Sequence, residues 1–377
     1  MGAPSFLNEI DSRKAERHHQ GRDRSLPKNS APISFSDNDY LGLAKHPAVL
    51  QSAQEAIKKH GTSARAARLL AGLCPEHQDL ESALALWKQS ERALLFASGY
   101  LTPLGVIPAL VGPSDTILLE RNAHACLFDG AKLSEARLRL FPRQDMAVLK
   151  QMLDLTRKLN PNGKILLVVE SLHSMDGDFA PLEKIIRLKS EFGAWLLLDE
   201  AHAGGICGPE GSGRAAELGL TSAIDLQMGT LGKALGSAGG FIAGQAKIID
   251  HLLNEARTFL FGTALPPASA RAALTALSII RSTEGEHLRH TLQKNITLFR
   301  SESTSTQLGP IHPILCTTNS DATASSKILK DQGLEVPAIR TPTVPTGTAR
   351  LRISLSARHS ESEIRILGQS LKALPKS

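Results

Sequence analysis

The sequence predicts an α/β fold: a three-layer α/β/α domain with a mostly parallel sheet, followed by a smaller α+β domain. Short apolar runs without period-two alternation recur along the first two thirds of the chain, and such runs are typical of strands buried on both faces. Amphipathic stretches long enough for crossover helices separate them. Crossover helices join parallel strands, so the sheet is expected to be mainly parallel.

The elements of the large domain follow from these patterns in chain order. Helices are predicted over residues 46–60, 79–88, 146–159, 181–192 and 268–280. Strands are predicted over residues 93–96, 117–119, 165–169, 195–198, 224–228 and 239–244. The helices are predicted from longer amphipathic stretches and the strands from short continuous apolar runs.

Three parts are predicted along the chain, because 377 residues exceed what one core usually supports. Residues 1–46 form a polar N-terminal arm that contains Pro27 and Pro32, and proline interrupts helices. Residues 47–275 form the large domain and residues 276–377 the small one, with a strand over 349–355 and a final helix over 360–374.

Composition narrows the class of protein. Hydrophobic residues make up 42% and charged residues 21% of the chain, as in ordered globular proteins. A net charge of +6 fits a nucleic-acid partner or an enzyme with phosphorylated substrates, and a solvated basic surface is the favoured interpretation. The four cysteines form no C-x-x-C pair, so neither a metal site nor a disulfide framework is expected. No signal peptide or spanning segment is recognisable, which predicts a cytoplasmic protein without membrane partners.

Polar residues that could carry chemistry follow four of the predicted strands. They are Ser98-Gly99-Tyr100, Glu170-Ser171-Leu172-His173-Ser174, Asp199-Glu200-Ala201-His202 and Gly229-Thr230-Leu231-Gly232-Lys233. Ligands of open α/β sheets bind beyond the carboxyl ends of the strands, so these groups are expected around one crevice. Each alone is more simply explained as a helix cap or a solvated charge. The presence of all four segments at one crevice favours a ligand-binding or catalytic site.

One different class of protein shares part of this pattern. Asp199-Glu200-Ala201-His202 matches the acidic box of nucleic-acid-dependent ATPases. That chemistry needs a phosphate loop before the box, whereas Gly232-Lys233 comes after it and is followed by Ala234 instead of Ser or Thr. No G-x-G-x-x-G follows a strand and no H-E-x-x-H occurs, so nicotinamide and zinc-protease sites are not predicted either.

Ordered motifs along nearly the whole chain resemble the α-oxoamine synthase family of fold-type I pyridoxal-phosphate enzymes. Besides the acidic box and the lysine motif, they are Asn38-Asp39-Tyr40-Leu41-Gly42-Leu43, His77-x-x-Leu80-Glu81, Ser98-Gly99-Tyr100, His124-Ala125, Ser174-Met175-Asp176-Gly177-Asp178 and Leu265-Pro266-Pro267-Ala268. The resemblance implies a fold-type I transferase, pyridoxal 5'-phosphate (PLP) as cofactor, and a homodimer with active sites at the subunit interface.

The resemblance also implies a role for each catalytic residue. Lys233 is expected to carry PLP as a Schiff base and then to remove the substrate's α-proton. Asp199 is expected to pair with the ring nitrogen, which favours the protonated, electron-accepting ring. His202 is expected to bind the phenolic oxygen, and His124 to stack on the ring and touch the substrate carboxylate. The other expected cofactor ligands are Ser98, Gly99, Tyr100, Ser174, Thr230 and, from the partner subunit, Thr263.

Residues 342–352 resemble the family members that condense L-alanine with a pimeloyl thioester, with loss of carbon dioxide, to give 8-amino-7-oxononanoate for biotin synthesis. Arg352, assisted by Asn38, is expected to bind the amino-acid carboxylate. Thr343 is expected to line the acyl channel, and Arg22 or Arg17 to contact the acyl substrate. The carrier is left open between coenzyme A and a carrier protein. Condensation of glycine with acetyl-CoA, as in a glycine C-acetyltransferase, is the alternative.

Four positions depart from the pattern of the family. Ala67 and Gly262 stand where serine is common, His173 replaces an aromatic residue, and Gly204 stands where threonine is frequent. None of these differences removes a catalytic group.

Overall fold

The computed structural model describes residues 5–24, 26 and 31–375, so the break predicted at Pro27 lies outside the described residues. The chain divides into two compact units. The large unit comprises residues 38–174 and 178–292. The small unit comprises the described residues up to 37, residues 175–177, and those from 293 onward. The domain boundaries derived from the sequence remain predictions.

Helices and strands are numbered here in chain order. The helices are α1 Phe6–His19, α2 Pro47–His60, α3 Pro75–Trp87, α4 Leu101–Leu110, α5 Ala125–Leu133, α6 Met146–Leu159, α7 Leu182–Glu191, α8 Arg214–Glu217, α9 Ala246–Glu255, α10 Arg257–Leu260, α11 Pro267–Ile280, α12 Thr283–Glu302, α13 Asn319–Asp331 and α14 Glu361–Lys372. The strands are β1 Ile33–Ser34, β2 Arg92–Phe96, β3 Thr116–Glu120, β4 Arg137–Phe141, β5 Ile165–Glu170, β6 Trp195–Asp199, β7 Leu226–Thr230, β8 Gly240–Gly244, β9 Ile311–Leu315, β10 Leu334–Glu335, β11 Ala338–Ile339 and β12 Arg350–Ser354.

A seven-stranded sheet in the order β2-β8-β7-β6-β5-β3-β4 forms the centre of the large unit. Its strands are parallel except β8, which runs antiparallel to both of its neighbours. The carboxyl ends of β2, β5, β6 and β7 therefore meet at one edge. This confirms the predicted fold class and brings the four polar segments to the same edge of the sheet.

Both faces of this sheet are covered by helices. Leu118 of β3 packs with residues of α6 and α7, whereas its neighbour Leu119 packs with residues of α4, α5 and α9. Leu197 and Leu198 of β6 divide between the two faces in the same way. Because successive side chains of a strand point to opposite faces, a strand buried on both sides must be apolar throughout. This explains the continuous apolar runs in the sequence.

Strand β4 was not predicted, and its place in the sheet explains why. It is an edge strand that pairs only with β3. Arg137 is exposed and Arg139 is half-buried, so the segment alternates charged and apolar residues instead of forming an apolar run. Because β4 is not buried throughout, it lacks the continuous apolar run by which the other strands were identified.

The small unit contains two sheets. Strands β11, β12 and β9 form an antiparallel sheet, and β1 pairs with β10 in parallel. The last helix, α14, begins where Ser360 and Glu363 form a reciprocal capping box. Such a box satisfies two amide groups that the first turn of a helix leaves without partners.

Candidate active site

Asp199 ends strand β6 and is a buried carboxylate, only 4% exposed. Its Oδ1 atom accepts a hydrogen bond of 2.8 Å from the amide of Ala201. Burial raises the pKa of Asp199, while interaction with Lys233 acts in the opposite direction. The large unit thus holds a buried carboxylate within electrostatic reach of the Lys233 amine, and a protonated ring nitrogen would stabilise its charged form further.

A chain of polar contacts joins Lys233 to the loop that precedes α2. Lys233 Nζ lies 2.6 Å from His202 Nε2, and His202 Nδ1 lies 2.7 Å from the Tyr40 hydroxyl. That hydroxyl donates to Asn38 Oδ1 over 3.2 Å. One proton arrangement satisfies all three contacts: His202 donates from Nδ1 to Tyr40 and accepts at Nε2 from the lysine. The imidazole therefore fixes the position of the amine.

His124 stands at the N-cap of α5 with its ring exposed. Its Nδ1 atom accepts from the amide of Cys126 at 3.4 Å and lies 2.9 Å from the Cys126 thiol. The Tyr100 ring meets it edge-on, at a centroid distance of 6.4 Å, and the Tyr100 hydroxyl donates to Asp129. An exposed imidazole held in this way could stack on a flat aromatic ligand.

Gly99 and Thr230 approach each other closely at the ends of β2 and β7. A Cβ atom on residue 99 would lie 2.9 Å from Thr230 Oγ1, so only glycine fits without a shift. Ser98 Oγ accepts from the amide of Leu101 at the start of α4, at 3.1 Å. A glycine, two hydroxyls and a helix N-terminus together suit an anion such as a phosphate. These groups, with Asp199 and Lys233, fit the phosphate, ring nitrogen and aldehyde of PLP.

The remaining predicted site residues lie in different places. Asn38 and Ser174 belong to the large unit, where Ser174 is buried. Thr263 is exposed in a loop of the same unit. Arg22, Thr343 and Arg352 belong to the small unit, and they are described within it.

Within the small unit, Arg352 and Thr343 are both held by neighbouring side chains. Arg352 is 4% exposed on β12 and donates from Nη1 to Ser354 Oγ over 2.7 Å. Thr343 Oγ1 accepts from Arg24 Nη2 at 3.0 Å. Both side chains are therefore oriented by contacts inside the small unit.

Several buried polar residues beside the strand ends have no role assigned from the sequence. Glu170 ends β5 and pairs in register with Asp199. Burial, reinforced by the charge of Asp199, raises the pKa of Glu170 to about 8. Its position directly after an apolar run was the available signal. Tyr40 was visible only as part of the Asn-Asp-Tyr-Leu-Gly motif.

His173 forms a second buried cluster at this edge of the sheet. Its Nε2 atom lies 2.8 Å from Glu120, and its Nδ1 atom lies 3.1 Å from Asp178. Burial alone would lower the pKa of His173, but the contacts with Asp178 and Glu120 outweigh it and raise the pKa to about 9. The histidine that departs from the family pattern is thus a cation with two carboxylate partners.

The loop after Asp199 is anchored by a buried ion pair. Lys88 Nζ contacts the Glu200 carboxylate and the carbonyl of Ser212. The other oxygen of Glu200 accepts from the amide of Ala215 at 2.9 Å. Both charged side chains are 1% exposed. The pair thus fixes the segment that carries His202.

Three further properties concern the described part of the chain. No three His, Cys, Asp or Glu side chains within it are arranged to hold a metal ion. None of its helices combines the length and apolar character needed to cross a bilayer. All four cysteines are free and buried.

The family model and the similar proteins point to the same family. The class I and II aminotransferase family model matches residues 30–371. The chain is 41% identical to 8-amino-7-oxononanoate synthase of Aromatoleum aromaticum, covering 98% of this chain and 97% of the relative. It is 43% identical to the Geobacter sulfurreducens enzyme of the same name, covering 90% and 88%.

Solved structures agree with these relatives. A serine palmitoyltransferase from S. paucimobilis with a bound PLP–myriocin adduct has a TM-score of 0.92 at 26% identity, with 98% of each chain covered. An 8-amino-7-oxononanoate synthase from Francisella tularensis has a TM-score of 0.76 at 27% identity, covering 90% of this chain and 96% of that one. The chain belongs to the class I and II aminotransferase family and, within it, to the family of the 8-amino-7-oxononanoate synthases.

Proposed function

We propose that this chain is a PLP-dependent acyltransferase that condenses L-alanine with a pimeloyl thioester to form 8-amino-7-oxononanoate in biotin biosynthesis. The observation that carries the proposal is the contact of 2.6 Å between Lys233 Nζ and His202 Nε2, beside the buried Asp199 carboxylate. Relatives with that enzyme name, about 40% identical over most of the chain, support the choice of reaction.

The cofactor is PLP, which supplies an electron sink for the charge that develops on the substrate's α-carbon. Asp199 would hold the ring nitrogen, because a buried carboxylate favours its protonated form. His202 and Ser174 would face the phenolic oxygen, and the exposed His124 would cover the ring. Ser98, Gly99, Tyr100 and Thr230 would hold the phosphate, and Lys233 would bond the aldehyde carbon.

Lys233 would also handle the proton that leaves alanine. A general base must lie within hydrogen-bonding reach of the proton that it takes, and it must be held there. His202 holds the amine from one side, and Tyr40 in turn holds the imidazole at 2.7 Å. The alanine α-carbon would then bond to the acyl carbonyl carbon as the carbon–sulfur bond breaks and the thiol carrier leaves. The bond to the carboxylate would break next, and the α-carbon would take up a proton in place of the carbon dioxide that leaves.

The substrate residues of this proposal are Arg352, Asn38, His124, Thr343 and Arg22, and His124 would touch the amino-acid carboxylate. Arg352 would bind the amino-acid carboxylate, because a planar guanidinium matches the two carboxylate oxygens. Asn38 would assist it. Thr343 would line the acyl channel, and Arg22 would contact the acyl substrate.

We also propose a homodimer, in which Thr263 reaches the phosphate bound by the partner subunit. Two loops of the large unit are joined by a hydrogen bond of 3.0 Å from the Ala264 amide to the Ala66 carbonyl. They expose Leu70 to 79% and Phe261 to 71%. Large apolar side chains exposed on two joined loops support an interface between proteins at this place.

The visible absorption spectrum of the purified protein tests the cofactor site. We expect a yellow band that borohydride reduction removes, and peptide mapping should place the reduced adduct on Lys233. A protein that stays colourless with added PLP would contradict the proposal. A Lys233→Arg variant is the matched control, since it keeps the charge but should bond no cofactor.

Product analysis then separates the two candidate reactions. Alanine with pimeloyl-CoA should give 8-amino-7-oxononanoate, whereas turnover restricted to glycine with acetyl-CoA would favour the glycine C-acetyltransferase alternative. A nucleic-acid-dependent ATPase is disfavoured by the missing phosphate loop. ATP turnover with salt-dependent DNA binding would be needed to support it. A cytoplasmic location stays a prediction.

A further inference from the structure

Two helices of the large unit are capped by a histidine side chain in the same way. At the start of α2, His46 Nδ1 accepts a hydrogen bond of 3.2 Å from the amide of Ala48. At the start of α5, His124 Nδ1 accepts one of 3.4 Å from the amide of Cys126. A backbone amide can only donate, so both Nδ1 atoms are unprotonated. A neutral ring capped in this way carries its proton on Nε2.

Cys126 offers His124 a second donor, where Ala48 offers His46 only a methyl group. The Cys126 thiol lies 2.9 Å from His124 Nδ1, and Cys126 is 2% exposed. A thiol can donate or accept, but a proton on Nδ1 would clash with the amide hydrogen, so the thiol must be the donor. Burial raises the pKa of the Cys126 thiol, so the sulfur keeps its hydrogen. Two donors of one residue thus hold the imidazole in one tautomer.

The His46 ring shows what the outer nitrogen of such a cap can bind. His46 Nε2 lies 2.9 Å from the Glu284 carboxylate. The His124 ring is exposed, and its Nε2 atom has no hydrogen-bond partner among residues 5–24, 26 and 31–375. A carboxylate supplied by a ligand would complete the arrangement that Glu284 completes at His46.

The His124 ring is a neutral donor and not a cation. Partial burial lowers the pKa of His124 from its ordinary value of 6.5. The first turn of a helix carries partial positive charge, which also disfavours a cation at the N-cap. A second proton would have to go to Nδ1 and would break both contacts with Cys126.

We propose that Cys126 is a positioning residue, which fixes the proton of His124 on Nε2 and so presents a neutral N–H donor to the carboxylate of the amino-acid substrate. The contact between His124 and that carboxylate rests on the proposed function. The inference adds the tautomer of the imidazole, its neutrality and the residue that determines both.

A neutral donor suits a reaction that finally releases this carboxylate as carbon dioxide. Hydrogen bonds from a charged donor are about twice as strong as those between neutral groups. An interaction that stabilises the bound carboxylate more than the departing carbon dioxide raises the barrier to its loss. Neutral His124 would therefore orient the carboxylate while opposing its release less than an imidazolium would.

Binding of amino acids to the holoenzyme, followed through the absorption of the cofactor, tests this proposal. Cys126→Ala should weaken L-alanine binding about fivefold, because it removes one hydrogen bond to Nδ1. Cys126→Ser should restore the affinity, since a hydroxyl is also a donor. Cys207→Ala is the matched control, because Cys207 is likewise free and buried in the large unit. L-Alaninol, which has the amine but no carboxylate, should bind all four proteins equally.

Equal weakening of L-alanine and L-alaninol by Cys126→Ala would overturn the proposal, because the loss would then be structural. Unchanged binding of L-alanine by that variant would overturn it too. Nitrogen NMR of the histidine-labelled, cofactor-free protein gives an independent readout, with the His124 signals identified by their loss in His124→Asn. Its Nδ1 should be unprotonated and its Nε2 protonated, and the reverse would contradict the inference.

None of these measurements uses an acyl donor. A protein that binds L-alanine as expected but forms no product with pimeloyl-CoA would contradict the proposed function and leave the role of Cys126 standing. A protein that takes up no PLP would also contradict the proposed function, and the nitrogen spectrum would still decide the tautomer of His124.

Discussion

The buried ion pair between Lys88 and Glu200 offers a direct test of how the active-site loop is held. Both side chains are 1% exposed, and Lys88 also contacts the carbonyl of Ser212. Lys88→Met keeps most of the side-chain volume but leaves the Glu200 charge buried without its cation. Breaking one side of such a pair typically costs about 3–5 kcal/mol. We expect the free energy of unfolding of the large unit to fall by about that amount.

Lys59→Met is the matched control, because Lys59 is 62% exposed and its buried partner Glu76 keeps a second contact, of 2.7 Å, with His60. An exposed cation contributes only about 0–1 kcal/mol to such a pair, so this variant should be nearly as stable as the unchanged protein. The double variant Lys88→Met with Glu200→Leu removes both charges and should recover most of the loss.

Urea unfolding followed by tryptophan fluorescence measures these differences. Both tryptophans of the chain, Trp87 and Trp195, belong to the large unit, so their signal reports its unfolding. The transition midpoint should fall for Lys88→Met without a change in slope. A Lys88→Met midpoint equal to that of Lys59→Met would refute the reasoning, because the pair would then contribute no more than a surface contact.

Four further outcomes are expected. Lys233→Ala should abolish the borohydride-trapped adduct and lower turnover by at least about 10²-fold, measured by product formation, since it removes the general base. Glu170 holds its proton up to a pKa of about 8, against its ordinary 4.5. Between those values the unfolded chain binds fewer protons than the folded one, so stability falls as pH rises through this window, and Glu170→Gln should flatten that fall in urea titrations at several pH values. Gly99→Ala places a Cβ 2.9 Å from Thr230 Oγ1 and should weaken PLP binding about tenfold in equilibrium dialysis, whereas Gly112→Ala, with open space around it, should not. Phe261→Glu should shift the protein toward monomers in analytical ultracentrifugation, and unchanged dimers would argue against the proposed interface.

Much of the large unit could be predicted from the sequence because its strands are buried on both faces. The predicted strand over residues 165–169 became β5 Ile165–Glu170, and the predicted helix over 146–159 became α6 Met146–Leu159. The segment over 224–228 was placed two residues early, because Ile224 packs in the core before β7 begins. An apolar residue signals burial more directly than it signals backbone conformation.

The site was predictable only in part, for a related reason. A residue that directly follows a predicted strand lies at the carboxyl end of that strand. Asp199, His202 and Lys233 could therefore be assigned to one edge of the sheet from the sequence alone. The partners Lys88 and Glu200 are 112 positions apart. This contact could not be predicted from the sequence, because an ion pair between distant segments produces no periodic pattern near either residue. Tyr40 escaped assignment in the same way, being 162 positions from His202.

The residues proposed for PLP lie in one unit, whereas those proposed for substrates lie in both. Those proposed for PLP, among them Asp199, His202 and Lys233, all belong to the large unit. Of the residues proposed for substrates, Arg22, Thr343 and Arg352 belong to the small unit, whereas Asn38 and His124 belong to the large one. The alanine and glycine reactions share the groups proposed for PLP, so those groups alone do not determine which acyl donor is used. Substitution of Thr343 or Arg22, the residues proposed for the acyl substrate, is therefore expected to change the preference among acyl donors while the absorption spectrum of the cofactor stays the same.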